Sequence, residues 1–239
     1  MGWKVSTIII ENKNNLKDDN TILEALGKSN FEFKEELTLG YDIVQNDDSI
    51  CIGYYQDNII LFDDYQITAK SLERANELKL IKEEKRLVDL FPNAEILTAA
   101  CHSVVNYHGY SLIKKGKKIR LKTISSEDEL REFGKRIEEE VEIYKTSYEK
   151  NGANYWKDED YPNDEDYTED QLMEDFTFGV AKRRLGFRLD NSDADELMET
   201  VVFKKYISPN SKNGNEEVEE LKPKNTWLNI WQILKKTIS

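Results

Sequence analysis

Lys4-Val5-Ser6-Thr7-Ile8-Ile9-Ile10 is a nearly continuous β-branched run, and it closes on three consecutive isoleucines. Such a run suits a central strand buried on both faces, because a strand with one wet face alternates apolar and polar residues. The sequence downstream supplies further strands. Phe31-Glu32-Phe33-Lys34-Glu35 alternates like a half-exposed strand, and Ile50 to Tyr55 pairs with Asn58 to Phe62 through a turn at Gln56-Asp57. Ala94 to Cys101 returns to strand. Asn106 to Ile113 and Lys117 to Ile124 then form a hairpin turning on Lys114-Lys115-Gly116-Lys117.

Helices fill the intervals. One is expected around Thr21 to Gly27, and another over Gln66 to Phe91, broken near Leu78 to Ile81 where the apolar period slips. Ser126 with Glu129 forms a capping-box pattern, after which Leu130, Phe133, Ile137, Val141, Tyr144 and Tyr148 recur at three and four. This predicts a helix to Tyr148, with Gly134 inside it at a cost of about 1 kcal/mol against alanine. Thr168 with Gln171 opens a further helix through Leu172, Phe176 and Val180 to a stop near Gly186. Ser192 caps a short helix, and Thr200 to Ile207 reads as strand. The expected fold is a single α+β domain over residues 1–207, a largely antiparallel or mixed sheet with helices on one face. Residues 208–225 are a polar linker. Residues 226–239 form an amphipathic helix whose Trp227, Ile230, Trp231 and Leu234 must dock, on the domain itself or on a second copy as a homo-oligomer.

The 239 residues carry a net charge of −13, which repels phosphate backbones and anionic lipid, so no nucleic-acid or membrane partner is expected. A basic protein partner suits the charge better. Two cysteines provide no disulfide framework, the apolar start is too short for a signal peptide, and no run approaches the ~20 apolar residues of a transmembrane helix. The chain reads as cytoplasmic, and its Lys-, Asn- and Ile-rich usage as bacterial.

Imidazole chemistry has to start in Cys101-His102-Ser103-Val104-Val105-Asn106-Tyr107-His108, which holds both histidines. On a strand Cys101 and His102 point to opposite faces, against a nucleophile and base pair. The span lacks identifiable third and fourth ligands, so no metal and no cofactor are expected. Asp164, Asp166 and Thr168 fall at the first positions of a calcium loop, but Glu169 occupies the place of the required glycine. Lys114, Lys115, Lys117, Lys118, Arg120 and Lys122 form a basic island, read as protection of a sheet edge with Arg120 and Lys122 facing solvent. Trp156, Asp158, Asp160, Tyr161, Asp164, Asp166 and Tyr167 interleave acids with rings, the pattern of aromatic anchors inside a charged rim.

Met1-Gly2-Trp3-Lys4, the His102-Ser103-Val104-Val105-Asn106 strand end, the Gly109 to Lys122 hairpin and Gly134 with Glu140 six residues on together resemble a family of uncharacterised bacterial proteins. That resemblance implies an α+β domain in which His102, Ser103, Asn106 and Glu140 belong together, and it carries no known activity. The family usually has prolines after the glycine, where Lys135 to Glu142 here reads as helix. The function expected is therefore a non-enzymatic interaction protein of immunity or regulatory type. The alternative is a hydrolase with His102 as base, Ser103 or Cys101 as nucleophile and Glu140 as orienting carboxylate.

Overall fold

The computed structural model describes residues 3–38, 48–158 and 165–209. The expected docking helix with Trp227, Ile230, Trp231 and Leu234, the linker from residue 210, and Asp160, Tyr161 and Asp164 lie outside the described residues. In chain order the elements are β1 (Lys4–Glu11), α1 (Asp19–Ala25), β2 (Glu32–Thr38), β3 (Ser49–Tyr55), β4 (Asn58–Asp63), α2 (Ile67–Ser71), α3 (Lys82–Leu90), β5 (Glu95–His102), β6 (Tyr107–Lys114), β7 (Lys117–Ser125) and β8 (Asp128–Gly134). They continue with α4 (Glu138–Tyr144), β9 (Tyr148–Lys150), β10 (Ala153–Trp156), β11 (Tyr167–Thr168), α5 (Met173–Gly179), α6 (Lys182–Leu185), α7 (Asp195–Thr200) and β12 (Val202–Ile207).

Nine strands make one sheet in the order β2-β12-β3-β4-β1-β5-β6-β7-β8, with every neighbouring pair antiparallel. β1 lies in the middle, as its isoleucines require. Ile8 and Ile10 point into a core closed by Ile22 and Leu23 of α1, Leu26 just past its end and Leu87 of α3. Ile9 points the other way, to Met173, Phe176 and Phe178 of α5 and Leu185 of α6. The α+β class and the antiparallel sheet hold, but helices cover both faces and not one. A strand buried on both faces demands that second layer, since bare sheet surface of this hydrophobicity would stay in contact with water.

The helix expected from Ser126 to Tyr148 is instead β8, ending at Gly134 with φ 83°, a short connection and the short α4. Ser125 and Asp128 close the turn between β7 and β8, and Arg120 faces Gly134 across the ladder. The charged residues of β7 are corrected as well. β7 is not an edge strand, and Arg120 and Lys122 are fully buried. Each meets a carboxylate: Arg120 engages Glu140 and Glu132, and Lys122 lies 2.7 Å from Glu169 with its ammonium over the Phe176 ring. Under this cover Arg120 and Lys122 have no route to solvent, and such charges persist only in pairs.

Glu95 at the start of β5 ties the sheet to α6, accepting two hydrogen bonds from Arg183 (2.8 and 2.9 Å) and meeting Lys114 at 2.8 Å. Burial alone would raise its carboxyl, but hydrogen bonds and charge from Arg183 and Lys114 outweigh burial and hold it at about 2, below the ordinary 4.5. A depressed carboxyl contributes stability that is complete above the ordinary value and disappears as pH falls through the lowered one. Denaturant melts repeated at falling pH are therefore expected to lose stability between pH 4.5 and 2, and Glu95→Gln to make that slope shallower. An unchanged slope would assign the loss to other carboxylates.

A smaller antiparallel sheet of β9, β10 and β11 accompanies α4. Among the described residues no helix is long and apolar enough to cross a membrane.

Candidate functional site

β5 delivers Cys101 and His102 to opposite faces, as the strand period requires. A turn at Ser103–Val105 follows β5, closed by Asn106 in the left-handed region at φ 48°, a conformation asparagine tolerates better than most residues. It does not bring the two histidines together. In the returning strand His108 pairs with Cys101, and Tyr107 pairs with His102. His102 sits on the far face beside the Tyr65 ring at 6.0 Å, and burial lowers its pKa, helped by the charge of Lys4. Glu140 is taken by Arg120 and by the backbone N–H of Ile137 at 2.9 Å. The constellation of His102 with Cys101, Ser103 and Glu140 therefore has no common geometry, because alternation removes the imidazole and an ion pair removes the carboxylate.

A different set converges. α5 packs across β5 and β6 and lowers Glu174, in its first turn, onto Cys101, Ser103 and His108. Ser103 Oγ donates to Glu174 Oε2 at 2.6 Å and accepts from the Trp3 N–H at 3.1 Å. Cys101 Sγ lies 3.6 Å from Ser103 Oγ and 3.9 Å from Glu174 Oε2. One ligand atom each of Cys101, His108 and Glu174 falls within 4.8 Å of the others. His108 is only 4% exposed, and its Nδ1 is buried without a hydrogen-bond partner.

Burial pushes the Cys101 thiol up to about 12, with the Glu174 charge adding to the shift and Ser103 opposing it. Burial also lowers the pKa of His108, against the charge of Glu174. Thiol and imidazole are thus neutral near pH 7, and a neutral thiol is a poor nucleophile. Sequence reasoning missed Glu174, which lies 71 residues from Ser103 and shows no local pattern tying it there. Cross-strand pairing of His108 with Cys101 was in principle readable from the hairpin register, had the turn length been known.

The acidic and aromatic segment forms a second feature. Trp156 was expected as an exposed anchor, but it is 5% exposed, with its Nε1 donating to the Ile143 carbonyl and its ring against Tyr144 and Phe176. An indole of this size at a strand end beside apolar helices gains more from burial than from exposure. Its remaining edge meets an open groove of about 430 Å³, lined also by Ile143, Tyr167 and Leu172 and by charges of both signs, Glu142 and Asp175 with Lys157 and Arg188. Tyr167 stands 39% exposed on the groove wall. Its hydroxyl donates to Asp158 at 2.6 Å, and the Tyr148 hydroxyl donates to Asp166. Comparison with protein-family models, with curated proteins and with solved structures found no match.

Proposed function

We propose that the chain is a non-enzymatic interaction factor, of immunity or regulatory type, that grips a basic protein segment at the groove beside Trp156 and Tyr167. The groove carries this reading: an apolar floor of Trp156, Ile143 and Leu172 opens beside the carboxylate of Glu142, while Asp175 is paired with Arg188 at 2.8 Å and Lys157 adds a second cation. The attraction for a basic segment therefore comes from Asp158 and Asp166 nearby in sequence and from the chain's net charge of −13. A side chain with an aliphatic stem and a cationic head fits such a surface, its stem on the rings and its charge at the rim. Asp158 and Asp166 are aimed by tyrosine hydroxyls, which orders them before any partner arrives.

The test is isothermal titration of the full chain with a synthetic peptide alternating arginine and leucine. Binding is expected to weaken about tenfold between 50 and 200 mM salt, since rim charges act over roughly a Debye length. Neutralising Asp158, Asp160, Asp164 and Asp166 to asparagine is expected to weaken it by a similar factor. Tyr167→Ala removes both the apolar wall and the hydroxyl that aims Asp158, and should weaken binding about tenfold even at 200 mM salt, as loss of a hot-spot ring does. Absent binding, or binding indifferent to salt, rejects the proposal.

A further inference from the structure

Cys101, His108 and Glu174 come from β5, β6 and α5, three elements brought together only by the tertiary fold. A thiol, an imidazole and a carboxylate inside one 4.8 Å span combine donors of three kinds. His108 adds an independent sign. Its Nδ1 is buried without a partner, and an orphaned buried nitrogen costs about 1–3 kcal/mol unless something occupies it. Ser103 accepts from the Trp3 N–H and holds Glu174 from the side, the kind of outer contact that orients a ligating carboxylate. Glu174 is only partly buried and leaves a way in.

We infer that Cys101, His108 and Glu174 form a binding site for one divalent transition-metal ion of the zinc type. A sulfur donor disfavours calcium and magnesium, which take oxygen ligands, and three ligands of mixed kind suit zinc with a fourth position left to water. Donor atoms around a tetrahedral zinc stand about 3.3–3.8 Å apart at bonds of about 2.0–2.3 Å, so closure asks for shifts of about 1.5 Å at most. The sulfur and carboxylate are already at 3.9 Å. On binding, the Cys101 S–H bond breaks, its proton leaves to solvent, and the sulfur lone pair forms the new bond to the ion. The ion then clamps α5 to β5 and β6.

Cobalt(II) is the probe, because a thiolate ligand gives it a near-ultraviolet charge-transfer band and a tetrahedral site gives it strong visible bands. Titration of the full chain is expected to show both bands saturating at one ion per chain, with zinc displacing the cobalt. Glu174→Gln keeps an acceptor for Ser103 and is expected to stay folded while weakening binding at least tenfold. Cys51→Ser, at a cysteine remote from the cluster in sequence, should retain the band, and Cys101→Ser should abolish it. Zinc at about 100 times its dissociation constant is expected to raise the melting temperature by about 5 °C or more, and Glu174→Gln to reduce that rise. Cobalt bound without the thiolate band, as by surface carboxylates, overturns the inference. So does equal affinity in wild type and Glu174→Gln, or no binding at micromolar metal.

Discussion

Glu140→Ala is expected to destabilise the chain by about 3–5 kcal/mol, the loss that follows when one partner of a buried ion pair is removed. Arg120 is 1% exposed and Glu140 is 0% exposed. The guanidinium engages both oxygens of Glu140 through Nε at 3.1 and 2.9 Å and adds a contact from Nη2, the bidentate geometry that gives such pairs their strength. Without the carboxylate, Arg120 keeps Glu132 and the carbonyls of Phe133 and Gly134, and the Ile137 N–H loses its acceptor. For a chain of this length each kcal/mol moves the melting temperature by about 2–4 °C, so circular dichroism should record a fall of roughly 10 °C. Removing both charges is the decisive comparison. Arg120→Met with Glu140→Leu is expected to be less destabilising than Glu140→Ala alone, because no buried guanidinium is then left with only the half-exposed Glu132 to balance it. A double variant as unstable as the single one would mean that shape, and not charge, matters at this position.

That pair also shows where reading the sequence stops. The strands β1, β3, β4, β5, β6 and β7 were legible because each is written in contiguous residues with a turn signal at its end. Lys115 and Gly116, at φ 50° and 73°, make the tight turn that the Lys-Lys-Gly-Lys stretch announced. Burial of Arg120 and Lys122 was not legible. Alternation assigns residues to faces, and it does not say that both faces are covered. The clue was β1 itself: once Ile8, Ile9 and Ile10 are all interior, a second helical layer follows, and charged residues on strands farther along the same sheet need partners in place of water.

The candidate site failed to show in the sequence for a different reason. His108 reaches Cys101 through strand register, and Glu174 reaches both through the packing of α5, so neither relation has a spacing of its own. The family resemblance directed attention to His102, Ser103, Asn106 and Glu140 as a group. Of these, only Ser103 touches the cluster that α5 completes, because alternation sends His102 away and returns Ser103, two residues on from Cys101, to the face of the cluster. Gly134 and Glu140, six residues apart, do meet functionally, but on Arg120: one offers its carbonyl at 3.1 Å and the other its carboxylate. Reading residues 126–148 as one helix came from a true coincidence. Leu130, Phe133 and Ile137 satisfy a helical period, but in β8 Leu130 and Phe133 pack into different clusters, and Ile137 lies beyond the strand at the start of α4.

Gly134→Ala is expected to cost about 3 kcal/mol or more, whereas at a helical position the same change would gain about 1 kcal/mol. Gly134 has φ +83°, and a Cβ there would stand 2.0 Å from the Ile119 carbonyl oxygen and 2.9 Å from its carbon. Both obstacles are backbone of the paired strand, so they yield only by parting β7 from β8. Gly152 separates the two contributions. It has φ +79° and nothing within 4 Å of the added carbon, so Gly152→Ala should carry the left-handed strain alone, about 1 kcal/mol. The difference between the two variants in urea melts then measures the close approach of the strands. Parting them also draws the Gly134 carbonyl from Arg120, so Gly134→Ala combined with Glu140→Ala should lose less than the two separate losses added together. Strict additivity would place Gly134 outside the Arg120 network, and equal losses for Gly134→Ala and Gly152→Ala would mean that β8 lies farther from Ile119 than this geometry has it.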